Sequence, residues 1–279
     1  MSVFTWTNPT SGQRHDAIFA GGAVRLLAVL PDPKVFRAPG FPFPVIPRSE
    51  WPRRAFRNRV QDVPIKDQGT HGSCVNHGFA SALEITRAYM GQTYYELSGT
   101  YAYCSIKLGY DGGSIPSDMA KWLVEKGLCL ATECPSTNID PSRVQRSAPG
   151  TAMRFRVPDD SLFECVGWDQ IVTAVLMGFA IAGTVRVVGG WDNLSPPFVP
   201  PWGRGPGNHV TCMGEGVLDL GGGRVGIDCR NSWSPQWGDR GYYTLTEDHV
   251  RYQTDASFYA FRTATIDPKD PQFAAWGGL

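Results

Sequence analysis

Three short motifs together contain the residue types that thiol-dependent amide chemistry requires. Residues 67–74 read DQGTHGSC, residues 207–210 read GNHV, and residues 230–233 read RNSW. A thiolate can attack a carbonyl carbon, an imidazole can protonate a leaving group, and amide N–H groups can stabilise an oxyanion. The candidate catalytic residues are Gln68, Cys74, His209 and Asn231.

Cys74 is the candidate nucleophile because of its position at the predicted start of a helix. Apolar residues on one face predict a helix over 74–90, ended by Gly91, and Gly69 and Gly72 allow a tight turn before it. The pKa of a thiol falls at a helix N-terminus and beside a cationic histidine. An isolated cysteine in this position is more often a buried structural residue.

His209 is the candidate base, and it lies 209 − 74 = 135 residues after Cys74 at the start of an apolar strand. His77 follows the helix start by three residues and should point away from the helix N-terminus. His71 is a loop residue and a lesser candidate. An arbitrary strand histidine more often has a structural role.

The other two polar candidates would orient the imidazole and stabilise the oxyanion. Asn231 would accept the second ring N–H of His209, and Trp233 would shield that hydrogen bond from water. Gln68 would donate to an oxyanion together with the backbone N–H of Cys74. The alternatives are an ordinary turn asparagine and a solvated loop glutamine.

Periodicity predicts an α+β protein with two lobes. Residues 1–54 are expected to form an extended arm with a proline-rich end, with a pro-segment as the alternative. Residues 55–161 should form a helical lobe, 162–266 an antiparallel β lobe, and 267–279 a tail. Further helices are predicted over 97–108, 119–127 and 169–177, and strands over 180–188, 209–213, 224–228, 242–245 and 258–266. Residues 221–223 should turn a hairpin.

The loop over 189–208 is long for a compact domain and contains two tryptophans and five prolines. It could wall one side of a substrate cleft. Alternatively, Trp191 and Trp202 could pack on the β lobe.

The motifs resemble those of the papain-like cysteine peptidases. Gln68-Gly69 and Gly72-Ser73-Cys74 are similar to the oxyanion and nucleophile segment, Asn208-His209 to the histidine segment, and Asn231-Ser232-Trp233 to the asparagine segment. The resemblance covers roughly residues 53–266 and implies a two-lobed fold, with the active site in the cleft between a helical lobe and a β-barrel-like lobe. It also implies a substrate cleft, whose candidate residues are Gly112, Gly113, Ser114, Ile115, Val210 and Trp233.

Two departures from the family pattern bear on the expected setting. Secreted members have a disulfide where this chain has His71 and Tyr110, so both partners are replaced together. The aromatic residue that follows the nucleophile is replaced by Val75, which affects cleft packing rather than chemistry. The chain is therefore closer to intracellular bacterial and viral members. A propeptide helix pattern is not evident in residues 1–54.

Composition narrows the function classes. The chain has 279 residues, 42% hydrophobic and 19% charged, which is typical of a globular protein. A net charge of zero argues against nucleic-acid binding, and the arginines within 48–59 favour a solvated surface over a binding patch. No signal peptide is evident, and the longest uncharged run, residues 170–185, is too short to span a membrane. Seven cysteines without paired metal spacing predict buried free thiols in a reducing, cytoplasmic setting.

The sequence therefore predicts a cysteine-type peptidase that hydrolyses peptide or isopeptide bonds without a metal or organic cofactor. One alternative is a structural protein, for example of a phage particle, whose arm and tail bind neighbours in an assembly. Another is a peptidoglycan amidase or acyl transferase with the same catalytic residues.

Overall fold

The computed structural model describes residues 2–7, 12–34 and 36–265. The predicted tail lies outside these ranges. The helices are α1 (Trp51–Arg54), α2 (Cys74–Tyr89), α3 (Tyr103–Ile106), α4 (Pro116–Glu125), α5 (Ala148–Ala152), α6 (Gly167–Leu176) and α7 (Glu247–Arg251). None of the helices in the described ranges is long and apolar enough to span a bilayer.

The strands form two main sheets. The first contains β1 (Phe4–Thr7), β2 (Arg14–Ala20) and β3 (Ala23–Leu27). The second contains β4 (Phe56–Arg57), β5 (Leu162–Glu164), β6 (Ala180–Val185), β8 (His209–Gly221), β9 (Arg224–Arg230), β10 (Tyr242–Thr246) and β12 (Phe258–Phe261). This sheet is antiparallel, in the order β10-β9-β8-β6-β12-β5, with β4 paired to β8. Two short strands, β7 (Gly205–Pro206) and β11 (Gln253–Thr254), pair with each other.

The large sheet lies between two hydrophobic clusters because its side chains alternate in direction. In β6, Ala180 and Ala182 pack with α2 and the helical lobe. Ile181 and Val185 pack on the other face with α6 and a group of tryptophans. The same alternation sets the direction of side chains on β8, the strand that begins with His209.

Most predicted elements of the two lobes are confirmed. Helix α2 begins at Cys74, and β8 and β9 form the predicted hairpin. Its two-residue turn is Gly222-Gly223, where both residues have positive φ, as a type I′ turn requires.

The helix predicted over 97–108 is wrong in extent, since only Tyr103–Ile106 is α-helical. The Ser98 hydroxyl accepts hydrogen bonds from the N–H groups of Thr100 and Tyr101, so turns occupy the first part of the segment. At Lys107 the backbone becomes extended, which ends the helix.

The N-terminal arm is more ordered than the extended segment that the sequence predicted. Its first part is the three-stranded sheet, and β2 alternates between exposed and buried residues. Beyond β3 the arm crosses to the β lobe, where Gly40 bridges to Glu164 of β5 and Phe43 packs on Phe163 and Phe179. The boundaries proposed for the arm and the two lobes stay predictions.

The loop over 189–208 packs on the β lobe through its tryptophans. Trp191 is fully buried and stacks on Trp237, and Trp202 stacks on Tyr252. The alternative that these tryptophans pack on the β lobe is thus found in the structure, and the expectation that the loop walls one side of a substrate cleft stays a prediction.

Candidate active site

Cys74 is the first residue of α2 and is fully buried. The helix is sixteen residues long, so its N-terminal end presents unpaired N–H groups and a positive dipole to the sulfur. The backbone N–H of Val210, the residue after His209, lies near the Cys74 sulfur and acts to lower the pKa of that thiol. Strand β8 therefore places the His209 segment beside the N-terminus of α2.

His209 and Asn231 form a buried hydrogen bond, with 2.7 Å between His209 Nε2 and Asn231 Oδ1. Asn231 is held in place, because its Oδ1 also accepts from the Ser232 N–H at 2.8 Å and its own N–H donates to Gly241 O. The other ring nitrogen, His209 Nδ1, is buried and has no hydrogen-bond partner among the described residues. That nitrogen is therefore available to a thiol proton.

An aromatic wall excludes water from the imidazole. The ring centroids of Trp233 and His209 lie 4.8 Å apart, and Trp233 is itself completely buried. Trp191 and Trp237 pack against Trp233 from behind. The hydrogen bond between His209 and Asn231 thus lies in a region of low dielectric, where it is stronger than in water.

Gln68 lies on the same side of the cleft as Trp233. Its Oε1 accepts from the Ser232 hydroxyl at 2.8 Å, which leaves Nε2 as the donor. That donor contacts His71 O at 2.9 Å and the carbonyl oxygen of Leu26 at 3.3 Å. A peptide carbonyl therefore already lies against the Gln68 amide.

The cleft is occupied by the chain's own N-terminal arm at residues 25–30. The Ala28 N–H lies near the Cys74 sulfur and acts to lower the pKa of that thiol, and the Ala28 carbonyl accepts from the Ser114 N–H at 3.3 Å. Leu30 donates to Ser114 O at 3.2 Å, and Val29 donates to Asn208 O at 3.5 Å. Because one stretch of arm contacts both Cys74 and the residue before His209, these two candidates line one cleft.

Glycines allow the arm to approach this closely. A Cβ on Gly113 would lie 2.0 Å from Ala28 O, and a Cβ on Gly72 would lie 2.8 Å from the Ala28 methyl carbon. Both distances are shorter than any side chain tolerates, so each position must be glycine while the arm is bound. Gly112 similarly lies against Leu108 O and the Gln13 side chain.

The other residues predicted to line the substrate cleft contribute less from their side chains. The Ser114 hydroxyl donates to Asn76 Oδ1, and it is the Ser114 backbone that pairs with the arm. The Val210 side chain packs on Gly78 of α2, where a Cβ would meet it at 2.6 Å. Ile115 is half-buried at the start of α4.

The two competing histidines have other partners. His71 Nδ1 lies 3.2 Å from Asp111 Oδ2, on a carboxylate that also accepts from the Gly72 N–H. His77 Nδ1 lies 3.0 Å from Ser73 O, and burial lowers the pKa of His77 to about 3. Neither histidine is poised as a base for Cys74.

Burial beneath the arm keeps both catalytic candidates neutral. It raises the pKa of the Cys74 thiol, an effect that the N–H groups of Ala28 and Val210 oppose. It lowers the pKa of His209 to about 4; the hydrogen bond to Asn231 opposes this shift, whereas the charge of Arg25 adds to it. An ion pair of thiolate and imidazolium is therefore disfavoured while the arm covers the cleft.

The contact between the arm and the site was not predicted from the sequence. The available signal was Arg25, a charged residue within the apolar run AVRLLAVL. Arg25 is only 1% exposed, so it must have buried partners. Among the described residues, no group of three His, Cys, Asp or Glu side chains could hold a metal ion.

Comparisons with known proteins agree with this architecture. No family model matches the chain. A cysteine proteinase of Theileria annulata is 26% identical over 187 residues, which cover 65% of this chain and 40% of the relative. The chain thus spans about two fifths of the length of that curated relative.

Solved structures give broader coverage at lower identity. Xylellain, a cysteine protease from Xylella fastidiosa, superimposes with a TM-score of 0.69 and 20% identity over 85% of this chain and 95% of the other. Digestive procathepsin L 3 of Tenebrio molitor larval midgut gives 0.62 and 15% over 82% and 75%. The predicted resemblance and the two-lobed α+β architecture are confirmed: this chain has the fold of the papain-like cysteine proteases.

Proposed function

We propose that this chain is a cysteine peptidase that hydrolyses peptide or isopeptide bonds in polypeptide substrates. Cys74 is the nucleophile and His209 the general acid and base. Asn231 orients the imidazole, and the Gln68 amide together with the Cys74 N–H stabilises the oxyanion. The same residues that the sequence singled out carry this proposal.

The reaction needs no group beyond these side chains and water. His209 Nδ1 takes the Cys74 proton, and the sulfur bonds to the substrate carbonyl carbon as the carbonyl oxygen becomes an oxyanion. The oxyanion collapses, the C–N bond breaks, and His209 gives its proton to the leaving amine. His209 then deprotonates a water molecule that attacks the thioester, which releases the acid and restores the thiol.

One observation carries the proposal. The His209–Asn231 hydrogen bond of 2.7 Å fixes the imidazole, while Nδ1 is left unpaired on a residue whose neighbour contacts the Cys74 sulfur. A buried nitrogen without a partner is costly. His15 Nε2 and His77 Nε2 also lack a partner among the described residues, and what distinguishes His209 is its place beside Val210, whose N–H acts on the Cys74 thiol. The Leu26 carbonyl at Gln68 Nε2 further supports the oxyanion role.

The arm in this structure marks a closed form of the enzyme. Residues 25–30 fill the cleft, and Cys74 and His209 are both 0% exposed. Substrate can reach the sulfur only when the arm moves or is removed. Exposure to water would then weaken the desolvation that keeps the pair neutral.

The experiment compares the full chain with an arm-displaced variant, Ala28→Trp. Ala28 is 4% exposed and packs against Gly72, so the arm cannot stay in place with a tryptophan there. We expect the variant to hydrolyse a mixed fluorogenic peptide library and to react with iodoacetamide at Cys74 at neutral pH. Phe19→Trp, on an exposed face of the arm, is the matched control and should stay closed.

The nucleophile is tested in the arm-displaced background. Cys74→Ala should abolish both turnover and the rapid alkylation, whereas Cys165→Ala, another buried thiol, should leave both intact. Undiminished alkylation after Cys74→Ala would contradict the assignment. Turnover of peptidoglycan fragments but not peptides would favour the amidase alternative, and an arm-displaced chain that turns over neither would favour the assembly alternative.

A further inference from the structure

Arg25 of the arm lies in a seat that belongs to the body of the protein. The Arg25 Nη1 atom donates to the Asp67 carboxylate and to Gly69 O at 3.1 Å, and Nη2 donates to Trp233 O at 3.2 Å. The remaining contacts come from the arm itself, with Nε donating to Ala20 O at 3.1 Å and Nη2 to Gly21 O at 3.4 Å. We call Asp67, Gly69 and Trp233 the guanidinium seat.

The seat is built before any guanidinium arrives. The Asp67 carboxylate accepts the Gly69 N–H at 2.8 Å, and the Asp67 backbone bridges to Trp233. A carboxylate and two carbonyls therefore converge in a fixed arrangement. When the arm leaves, these three acceptors lose their cationic partner, and the Asp67 carboxylate, already 47% exposed, becomes open to another cation.

The position of the seat relative to the sulfur identifies what would occupy it. Asp67 directly precedes Gln68, and the Trp233 ring packs on His209 at 4.8 Å. The arm pairs with Ser114 through Ala28 and Leu30, which follow Arg25 by three and five residues, so the arm runs from the seat past Cys74 to Ser114. The seat thus lies beside the imidazole that must protonate the leaving amine.

We infer that the guanidinium seat is a substrate subsite that binds an arginine side chain on the leaving-group side of the scissile bond. This inference rests on the proposed peptidase function and names the substrate class: peptides with arginine directly after the bond that is cut. The arm's Arg25 occupies the seat in the closed form and mimics that side chain.

The geometry favours arginine over lysine. The acceptors contact two different nitrogens of one planar group, which a guanidinium can satisfy simultaneously. A lysine ammonium is a single point and would reach fewer of them. Citrulline has nearly the shape of arginine but lacks its charge and one of its donor nitrogens, so it tests the charged donor fork as a whole, and substitution of Asp67 then tests the carboxylate.

The test uses the full chain with Arg25→Ala and Ala28→Trp, so that the seat is empty and the arm is displaced from the cleft. Quenched fluorescent peptides carry a mixed sequence before the scissile bond and arginine, lysine, citrulline or methionine directly after it. We expect kcat/KM for the arginine peptides to exceed that for the citrulline peptides about tenfold or more. A further substitution, Asp67→Asn, should reduce this ratio to within about threefold, whereas Asp62→Asn, an exposed acid on the same loop, should preserve it.

Binding is measured separately in the full chain with Arg25→Ala, Ala28→Trp and Cys74→Ala, so that binding to the seat is observed without turnover. We expect the same peptides to show the same order of dissociation constants. Turnover without an arginine preference would overturn the seat and leave the peptidase proposal standing. An arginine preference in binding without any turnover would overturn the peptidase proposal and leave the seat standing. The absence of turnover together with the absence of an arginine preference in binding would overturn both proposals. If Arg25→Ala does not fold by circular dichroism, Arg25→Gln, which is shorter than arginine but keeps a polar amide, serves in its place.

Discussion

The state of one imidazole follows from its hydrogen bonds. The Ser232 N–H and His209 Nε2 both lie at the same Asn231 atom, which identifies that atom as the amide oxygen. His209 Nε2 must therefore carry a proton, and in the neutral ring Nδ1 holds the lone pair. Asn231 thus selects the tautomer that the proposed proton transfer from Cys74 requires.

Replacing Asn231 by alanine should lower kcat of the arm-displaced chain roughly 10- to 100-fold, because a hydrogen bond to a charged imidazolium contributes about 1.5–3 kcal/mol. Steady-state kinetics with the fluorogenic peptides measures the effect. Asn193→Ala, an exposed asparagine in the 189–208 loop, is the control and should be silent. An Asn231→Ala variant with full activity would remove this residue from the mechanism.

Gln68 should act mainly on the transition state. We expect Gln68→Ala to lower kcat by about 10²- to 10³-fold, the usual loss for one oxyanion donor, with a smaller change in KM. Exposed Gln61, on the same segment, gives the matched control in Gln61→Ala. If Gln68→Ala raised KM and left kcat unchanged, the amide would be a ground-state contact rather than an oxyanion donor.

At the scale of elements, the helix that carries Cys74 is tied to the loop that carries Gln68. Lys66 lies two residues before Gln68, and its ammonium bonds Glu84 of α2 at 2.8 Å and Leu97 O at 2.9 Å. Glu84 also accepts from the Leu97 N–H at 2.7 Å. These buried contacts fix the separation between Cys74 and Gln68.

Removing the Glu84 carboxylate should destabilise the fold strongly, because it leaves the Lys66 ammonium buried without its counter-ion. We expect Glu84→Ala to reduce the free energy of unfolding by about 3–5 kcal/mol, measured by urea denaturation. Glu125→Ala, from an exposed helical pair with Lys121 at 3.8 Å, should change it by less than about 0.5 kcal/mol. Equal effects would mean that the Lys66–Glu84 pair does not anchor α2.

The elements that could be predicted from the sequence are those with local signals. Helix α2 has a 3.6-residue apolar repeat between two turn glycines, and the β8–β9 hairpin has its glycine turn. The candidate catalytic residues were found because each motif has its own local setting. The place of the arm could not be found in this way, since Arg25 and Trp233 are 208 residues apart and no local pattern encodes their contact.

At the scale of the whole molecule, the arm joins the two lobes. The Asp32 carboxylate accepts from the N–H and hydroxyl of Ser117 in the helical lobe and from the hydroxyl of Ser257 in the β lobe. Lys34 pairs with Glu164 of β5. Displacement of residues 25–30 therefore does not require residues 32–54 to detach, since the latter have their own contacts.

The closed molecule should lose stability as the pH falls below about 6.5. Burial lowers the pKa of His77 to about 3 and those of His209 and His249 to about 4. In the unfolded chain these histidines titrate near 6.5. Between about pH 6.5 and 4 the unfolded state therefore binds more protons than the folded state, so the free energy of unfolding decreases as the pH falls. Above about pH 6.5 these histidines are neutral in both states and do not change the free energy of unfolding.

Each buried histidine should contribute a slope of about 1.4 kcal/mol per pH unit within that window. Urea denaturation of the full chain at pH 7.5, 6.5, 5.5 and 4.5 measures the total. His209→Gln removes one titrating group and should make the slope shallower by about that amount, even if the variant is less stable at pH 7.5. A slope that is unchanged by His209→Gln would show that the imidazole is not held neutral beneath the arm.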